Sequence, residues 1–308
     1  MFLATACGNQ ILPDTEDSFA SSRYDLIDQD KVSPEDDLYP PIMHLEDWEQ
    51  PQPIPGLVNS AGLEDSPFIT PDGEKLFIFY TPSAKVPAEK QIIDRVTGIY
   101  VSTKTEGQWQ EPNRVKLSSG SESVLDGCPF FQNEILWFCS IRTGNFRDID
   151  IWHAKWTGTK WEDIVNAGKT LNADLQIGEM HINNNETIMY FHKPSPENNS
   201  AYDLWGTVKQ DGKWNDPKEL LTLNTNESDS RPALSPDGNE LWFTRTYLGT
   251  PAIFRSTSTA NGWGDPELVI SQFAGEPSVD SEGNILFTHH FFHDGNMIEA
   301  DIYIARRK

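Results

Sequence analysis

Basic residues are scarce in this chain. Its 24 Lys and Arg face 47 Asp and Glu, for a net charge of −23. That balance opposes nucleic acid and anionic lipid surfaces by plain repulsion. Long apolar runs are missing as well: no stretch approaches the ~18 residues of a membrane-spanning helix. There is no Gly-rich phosphate loop, no Ser/His/Asp elbow and no Cys-x-x-Cys pair, so the local motifs for nucleotide binding, acyl transfer and dithiol chemistry are absent from the sequence. Cysteine is limited to Cys7, Cys128 and Cys139. The last two flank a predicted hairpin, Phe130 to Phe138, and could face each other across it. Spacing alone supplies no disulfide geometry, and two buried free thiols are the expected state.

Aromatic residues, by contrast, are plentiful, and they recur. Trp48, Trp109, Trp161, Trp214 and Trp263 lie 61, 52, 53 and 49 residues apart. Four of them begin Trp-x-x-Pro, ending at Pro51, Pro112, Pro217 and Pro266, whereas the third unit reads Trp161-Glu162-Asp163-Ile164. One such unit cannot bury its own apolar face, so a period of about 50 residues predicts stacked or radial repeats. Each unit reads as four strands. The first ends in a turn such as Pro71-Asp72-Gly73 or Pro236-Asp237-Gly238, where Pro presets φ and Gly supplies the positive φ. A strongly apolar second strand follows, for example Leu76 to Tyr80 or Leu241 to Thr244, as expected of strands covered on both faces. The third strand carries Asp150-Ile151-Trp152, Asp203-Leu204-Trp205 or Asp301-Ile302-Tyr303. Recurrence of that Asp argues for a structural hydrogen-bonding role. The fourth is the Trp-x-x-Pro strand, whose Pro suits an outer edge.

The last unit runs from Glu276 to Asp301–Ala305 and then lacks a fourth strand, while Trp48-Glu49-Gln50-Pro51 stands unmatched near the N-terminus. The expectation is a five-bladed all-β propeller over residues 41–308, closed by the N-terminal strand completing the C-terminal blade. Residues 1–40 are expected to form a separate acidic tether: Asp14 to Asp37 carries nine carboxylates against Arg23 and Lys31, a composition that favours solvated chain. Leu3-Ala4-Thr5-Ala6-Cys7-Gly8 resembles the tail of a bacterial lipoprotein signal. That resemblance implies a lipid anchor at Cys7 and a periplasmic or extracellular address, with no basic stretch ahead of it.

The Ser-Pro-Asp-Gly turn, the Leu-Trp-Phe strand after it and the Asp-Ile-Tyr third strand resemble the WD40-like repeat of TolB-type β-propellers. The resemblance implies fold more than activity, since such propellers serve as envelope scaffolds, peptidase domains and polysaccharide lyases. In propellers, first-strand starts and second-strand ends converge on one mouth of the axial channel. Here the converging residues are Asp65, Asp126, Glu179, Arg231 and Glu276, with Arg142, His192, Arg245 and His290 above them. Such a funnel suits a small polar ligand or glycan, or an envelope protein partner. The order Asp65, Asp126, Glu179 on the first three blades is also similar to five-bladed glycoside hydrolases of the arabinanase/xylosidase type. That likeness implies one carboxylate kept ionised and another held protonated. The alternative reading is a structural one, in which these acids hold loop N–H groups. His289-His290-x-x-His293, with His181 and His192, invites a divalent metal; each histidine could equally be a singly hydrogen-bonded one. No cofactor is otherwise expected.

Overall fold

The computed structural model describes residues 22–118, 122–175, 177–198 and 200–308, and Cys7 lies outside them. The described chain is nearly all β. Its strands fall into five consecutive antiparallel groups. Unit one holds Leu63–Ile69, Lys75–Thr81 and Gly98–Thr105; unit two holds Leu125–Gln132, Ile135–Ile141, Asp150–Trp156 and Trp161–Asn166. Unit three holds Met180–Ile182, Ile188–Pro194 and Tyr202–Gln210. Unit four holds Asp229–Leu234, Glu240–Tyr247 and Thr250–Thr259. In unit five Ala274–Val279, Ile285–His293 and Asn296–Ala305 pair in turn.

Proline decides the shape of the outer strand. Where Trp-x-x-Pro occurs, the strand breaks into two short pieces: Gln108–Trp109 and Asn113–Arg114, Lys213–Trp214 and Lys218–Glu219, Gly262–Trp263 and Glu267–Ser271. Unit two, with Ile164 in place of Pro, keeps Trp161–Asn166 unbroken. A proline has no N–H for the ladder, so pairing stops there. Unit five takes its outer strand from the other end of the chain: Gln52 and Pro53 pair antiparallel with Ile304 and Tyr303, and Trp48 bridges Arg307. The Trp48 indole is 2% exposed and donates Nε1–H to Gly283 O at 2.8 Å.

The core lies between units rather than within them. Trp48, Trp242, Phe287 and Tyr303 join unit four to unit five, and Ile78, Tyr80, Leu286 and Ile302 join five to one. Each fully buried side chain of this kind contributes about 1.5–3 kcal/mol. Second strands are apolar on both faces, as in Leu76, Phe77 and Ile78, all buried.

The N-terminal segment differs from the expected tether. From Ser22 onward it is pinned to units one and five. Arg23 Nη1 meets Glu64 Oε1 at 2.8 Å, and Lys31 pairs with Glu299 and Asp301. His289 Nε2 lies 2.8 Å from Asp37 Oδ2. Gln29 donates to Ala61 O in front of unit one and to Ile298 O of unit five. Composition predicted solvation because it counts charges, not their partners; here Arg23 and Lys31 find buried counter-charges and Asp37 finds a buried histidine.

Candidate functional site

The first strands stand side by side, unit one against units two and five, and unit four against three and five. Counting back from the turn, one repeat position falls at Ser66, Cys128, Glu179, Arg231 and Glu276. All five line a single cavity of about 50 Å³. In four units the next residue is proline: Pro67, Pro129, Pro232 and Pro277. Strand pairing slips at each of these points. The residue before the proline is turned into the left-handed region, with φ of 48° at Ser66, 53° at Cys128 and Arg231, and 58° at Glu276. A non-glycine residue held there costs on the order of 1–3 kcal/mol and persists only where its surroundings enforce it. Glu179, followed by Met180, has no such φ.

Charge is concentrated at this ring. Arg231 Nε lies 2.6 Å from Glu276 Oε1 and 3.3 Å from Glu179 Oε1, yet its N–H is aimed at neither oxygen. The side chain of Arg231 is 37% exposed within the cavity. Glu276 Oε2 accepts Ser66 N–H at 2.7 Å and the Thr288 hydroxyl at 3.1 Å. Burial alone would raise the Glu276 carboxyl, but Arg231 and a hydrogen bond from Asp65 hold it down to about 2. Asp65 is pushed well above the usual carboxylate range by burial and then by the neighbouring Glu276 charge. The two neighbouring carboxyls are thus pushed in opposite directions, Asp65 up and Glu276 down. Glu179 is raised as well, burial outweighing Arg231. Burial, and then Arg231, lowers His192 to about 3; its Nδ1 accepts the Arg231 N–H at 3.2 Å, which leaves the ring proton on Nε2. Burial also lowers His290, whose Nδ1 faces Phe273 O at 3.3 Å.

Asp65, Glu179, Arg231 and Glu276 are therefore brought together, with His192 and His290 beside them. Asp126, Arg142 and Arg245 are placed differently. Asp126 meets Arg142 Nη2 at 2.5 Å and the Ser140 hydroxyl at 2.7 Å, one register away from Asp65. Its repeat equivalents are Glu64 and Asp229, and Asp229 meets Arg245 Nε at 2.6 Å. An acid paired to an arginine is thus a recurrent feature of first-strand starts. Unit one takes its arginine, Arg23, from the N-terminal segment. Unit five inverts the arrangement, with Ala274 at the acid position and His289 facing Asp37.

Ser66 and Cys128 belong to the ring and were not singled out from sequence. The signal was there: Ser-Pro, Cys-Pro, Arg-Pro and Glu-Pro at one repeat position. Cys128 and Cys139 are free thiols. Among the described residues no group of three His, Cys, Asp or Glu is arranged to hold a metal. The candidate histidines are dispersed: His289 on Asp37, His293 beside Asp294, and His181 Nδ1 accepting Leu234 N–H at 3.0 Å. The recurrent Asp150 does the structural work expected of it, accepting from the N–H groups of Phe146 and Arg147.

No family model and no curated protein matches this chain. Solved structures do. A thermostable family-43 glycoside hydrolase aligns with a TM-score of 0.53 at 13% identity, over 81% of this chain and 92% of its own. A second glycoside hydrolase gives 0.51 at 12%, over 82% of this chain and 61% of its own. A putative TolB from Agrobacterium tumefaciens gives 0.44 at 14%, over 74% and 70%. At such identities the glycoside-hydrolase alignments show a shared propeller fold and nothing of activity. No helix among the described residues is long and apolar enough to cross a membrane.

Proposed function

We propose that the five units are blades of a ring closed by Trp48–Pro53, and that its axial residues bind a small polar ligand of the carbohydrate class. One observation carries this reading. At a single repeat position, where a structural role would favour repetition, the chain places Ser66, Cys128, Glu179, Arg231 and Glu276, four residue types in five units, around one cavity. The acid–arginine pairs one step outward repeat, as structural parts do. Glu276 and Glu179 both lie beside Arg231 and offset its charge, so a neutral hydroxylated ligand fits better than an anion. Arg231, Glu179 and Glu276 line the cavity and together offer both donors and acceptors. A protein partner at the same mouth remains a role for the propeller surface. An address in the cell envelope or outside the cell follows from the Cys7 sequence on this reading.

A second reading, glycoside hydrolysis, is favoured by two carboxyls whose environments push them apart, Asp65 upward and Glu276 downward. It draws on Asp65, Glu276 and Glu179 as acid and base, whereas Asp126 is engaged by Arg142. The test is a thermal-shift screen with neutral sugars and divalent metals, run beside release of phenol from aryl glycosides. A ligand at 100 times its Kd adds about 2.7 kcal/mol of stability. A sugar-dependent shift lost in Arg231→Met supports binding at the ring. Turnover lost in Asp65→Asn and Glu276→Gln selects the hydrolase. A shift that persists in Arg231→Met removes the ring from the account.

A further inference from the structure

A second and larger cavity, of about 790 Å³, opens at the opposite mouth, among the hairpin turns. Its size lies within the ~300–1,000 Å³ of ordinary small-molecule sites. The two cavities share Phe68, Phe130, His181 and Ser278, so the narrow ring opens through one layer of side chains into this vestibule. That layer is built on the strand position two residues past the polar ring. Three of its members are rings packed together: Phe68 and Phe130 with centroids 5.1 Å apart, Phe130 and His181 at 4.6 Å, Phe68 and His181 at 6.0 Å. They form an aromatic floor under the vestibule.

The walls are amides. One N–H of each of Gln132, Asn133 and Asn184 is held by Asn183 O, Glu186 Oε1 and Pro236 O, and their carbonyl oxygens accept no bond among the described residues. The exposed Asn185 amide has no partner among the described residues. The floor supplies a donor. His181 Nδ1 accepts Leu234 N–H at 3.0 Å, so its neutral ring carries the proton on Nε2. The two inward aspartates are already engaged: Asp72 Oδ1 by Thr70 and Glu74, Asp237 Oδ1 by Ser235 and Asn239. Lys75 sits over the Phe131 ring at 5.7 Å. The charged groups of the vestibule are Asp72, Glu134, Asp237 and Lys75, three acids against one cation, which disfavours an anion; around them lie the amides above the aromatic floor.

We propose that this vestibule is a separate binding site for a short neutral saccharide. The apolar C–H face of the sugar rests on Phe68, Phe130 and His181, and its hydroxyls donate to the wall amides. Aromatic faces pack well against C–H-rich surfaces, and hydroxyls satisfy carbonyl acceptors without bringing charge into the site. The proposal stands apart from the axial ring and its function.

The experiment is isothermal titration calorimetry of the full chain. The probes are neutral disaccharides and trisaccharides derived from arabinan, xylan, cellulose and starch, with a galacturonic acid dimer as the charged control. A neutral member should bind, and the charged control should bind at least about tenfold more weakly. Loss of one or two hydrogen bonds in Asn185→Ala or His181→Gln should weaken binding by about tenfold. Asn185 is exposed on a turn, so its substitution tests the site without endangering the fold. Absence of any neutral saccharide binding at millimolar concentration overturns the proposal. So does binding that survives both substitutions but vanishes in Arg231→Met, which would put the sugar at the ring instead.

Discussion

Glu64 carries no solvent-exposed surface, and its charge is answered by a residue 41 positions earlier, Arg23. Burial raises this carboxyl to about 7 even though Arg23 and Ser60 pull it down. A carboxyl whose folded value is raised contributes stability that is complete below its unfolded value of 4.5 and lost as pH climbs through about 7. From pH 4 to 8 that contribution amounts to about 3 kcal/mol, at roughly 1.36 kcal/mol per unit. Urea melts of wild type and Glu64→Gln across this range should therefore show the wild type losing its relative advantage as pH rises. Parallel curves would show that Glu64 ionises freely. A single residue also marks the limit of sequence reading at the site. Asp65 and Asp126 look equivalent as the acids of their strand starts, yet they differ by one register, and on a strand one register exchanges the two faces. Only the following proline, two places after Asp65 and three after Asp126, records the offset.

At the scale of elements, local chemistry made the repeat legible. Turn residues, apolar second strands and Trp-x-x-Pro edges are each set by neighbours in sequence, and the structure places strands at all of them. The Trp ladder is uneven, however: Trp109 is 4% exposed, while Trp214 is only half-buried. Trp109→Ala should cost about 3–5 kcal/mol, as a deeply buried indole does, and Trp214→Ala distinctly less. Equal small losses in chemical denaturation would make both decorative. The N-terminal segment was not legible. Its contacts join residues separated by up to 270 positions, as in Lys31 with Asp301, and no local pattern announces a partner so distant. Deleting residues 1–37 should strand Glu64, Glu299 and Asp301 without their counter-charges and His289 without its Asp37 contact. Breaking a buried pair from one side costs about 3–5 kcal/mol where the remaining charge cannot relax. The truncated chain should therefore melt many degrees lower, and an unchanged melting temperature would return this segment to the role of a tether.

Across the whole molecule, structural and functional parts separate by how faithfully they repeat. Apolar second strands recur from unit to unit and acid–arginine pairs recur in three of the five, and they hold the sheets. The axial ring does not recur. Four of its five members bear the strain of left-handed backbone, and the ring bears the cost of buried charge, a pattern more often found at binding sites than in scaffolds. Glu179 tests that separation most directly, because burial raises its carboxyl and so sets a penalty on ionising it in the folded chain. Its contribution to stability is present below its unfolded value and lost as pH rises through the raised folded value. Glutamine at 179 removes this dependence and keeps the shape. The decisive measurement is the unfolding free energy of Glu179→Gln at pH 7, made beside binding of the sugar found to shift wild type. The account predicts stability equal to or above wild type with binding lost. Clear destabilisation with binding intact would contradict it.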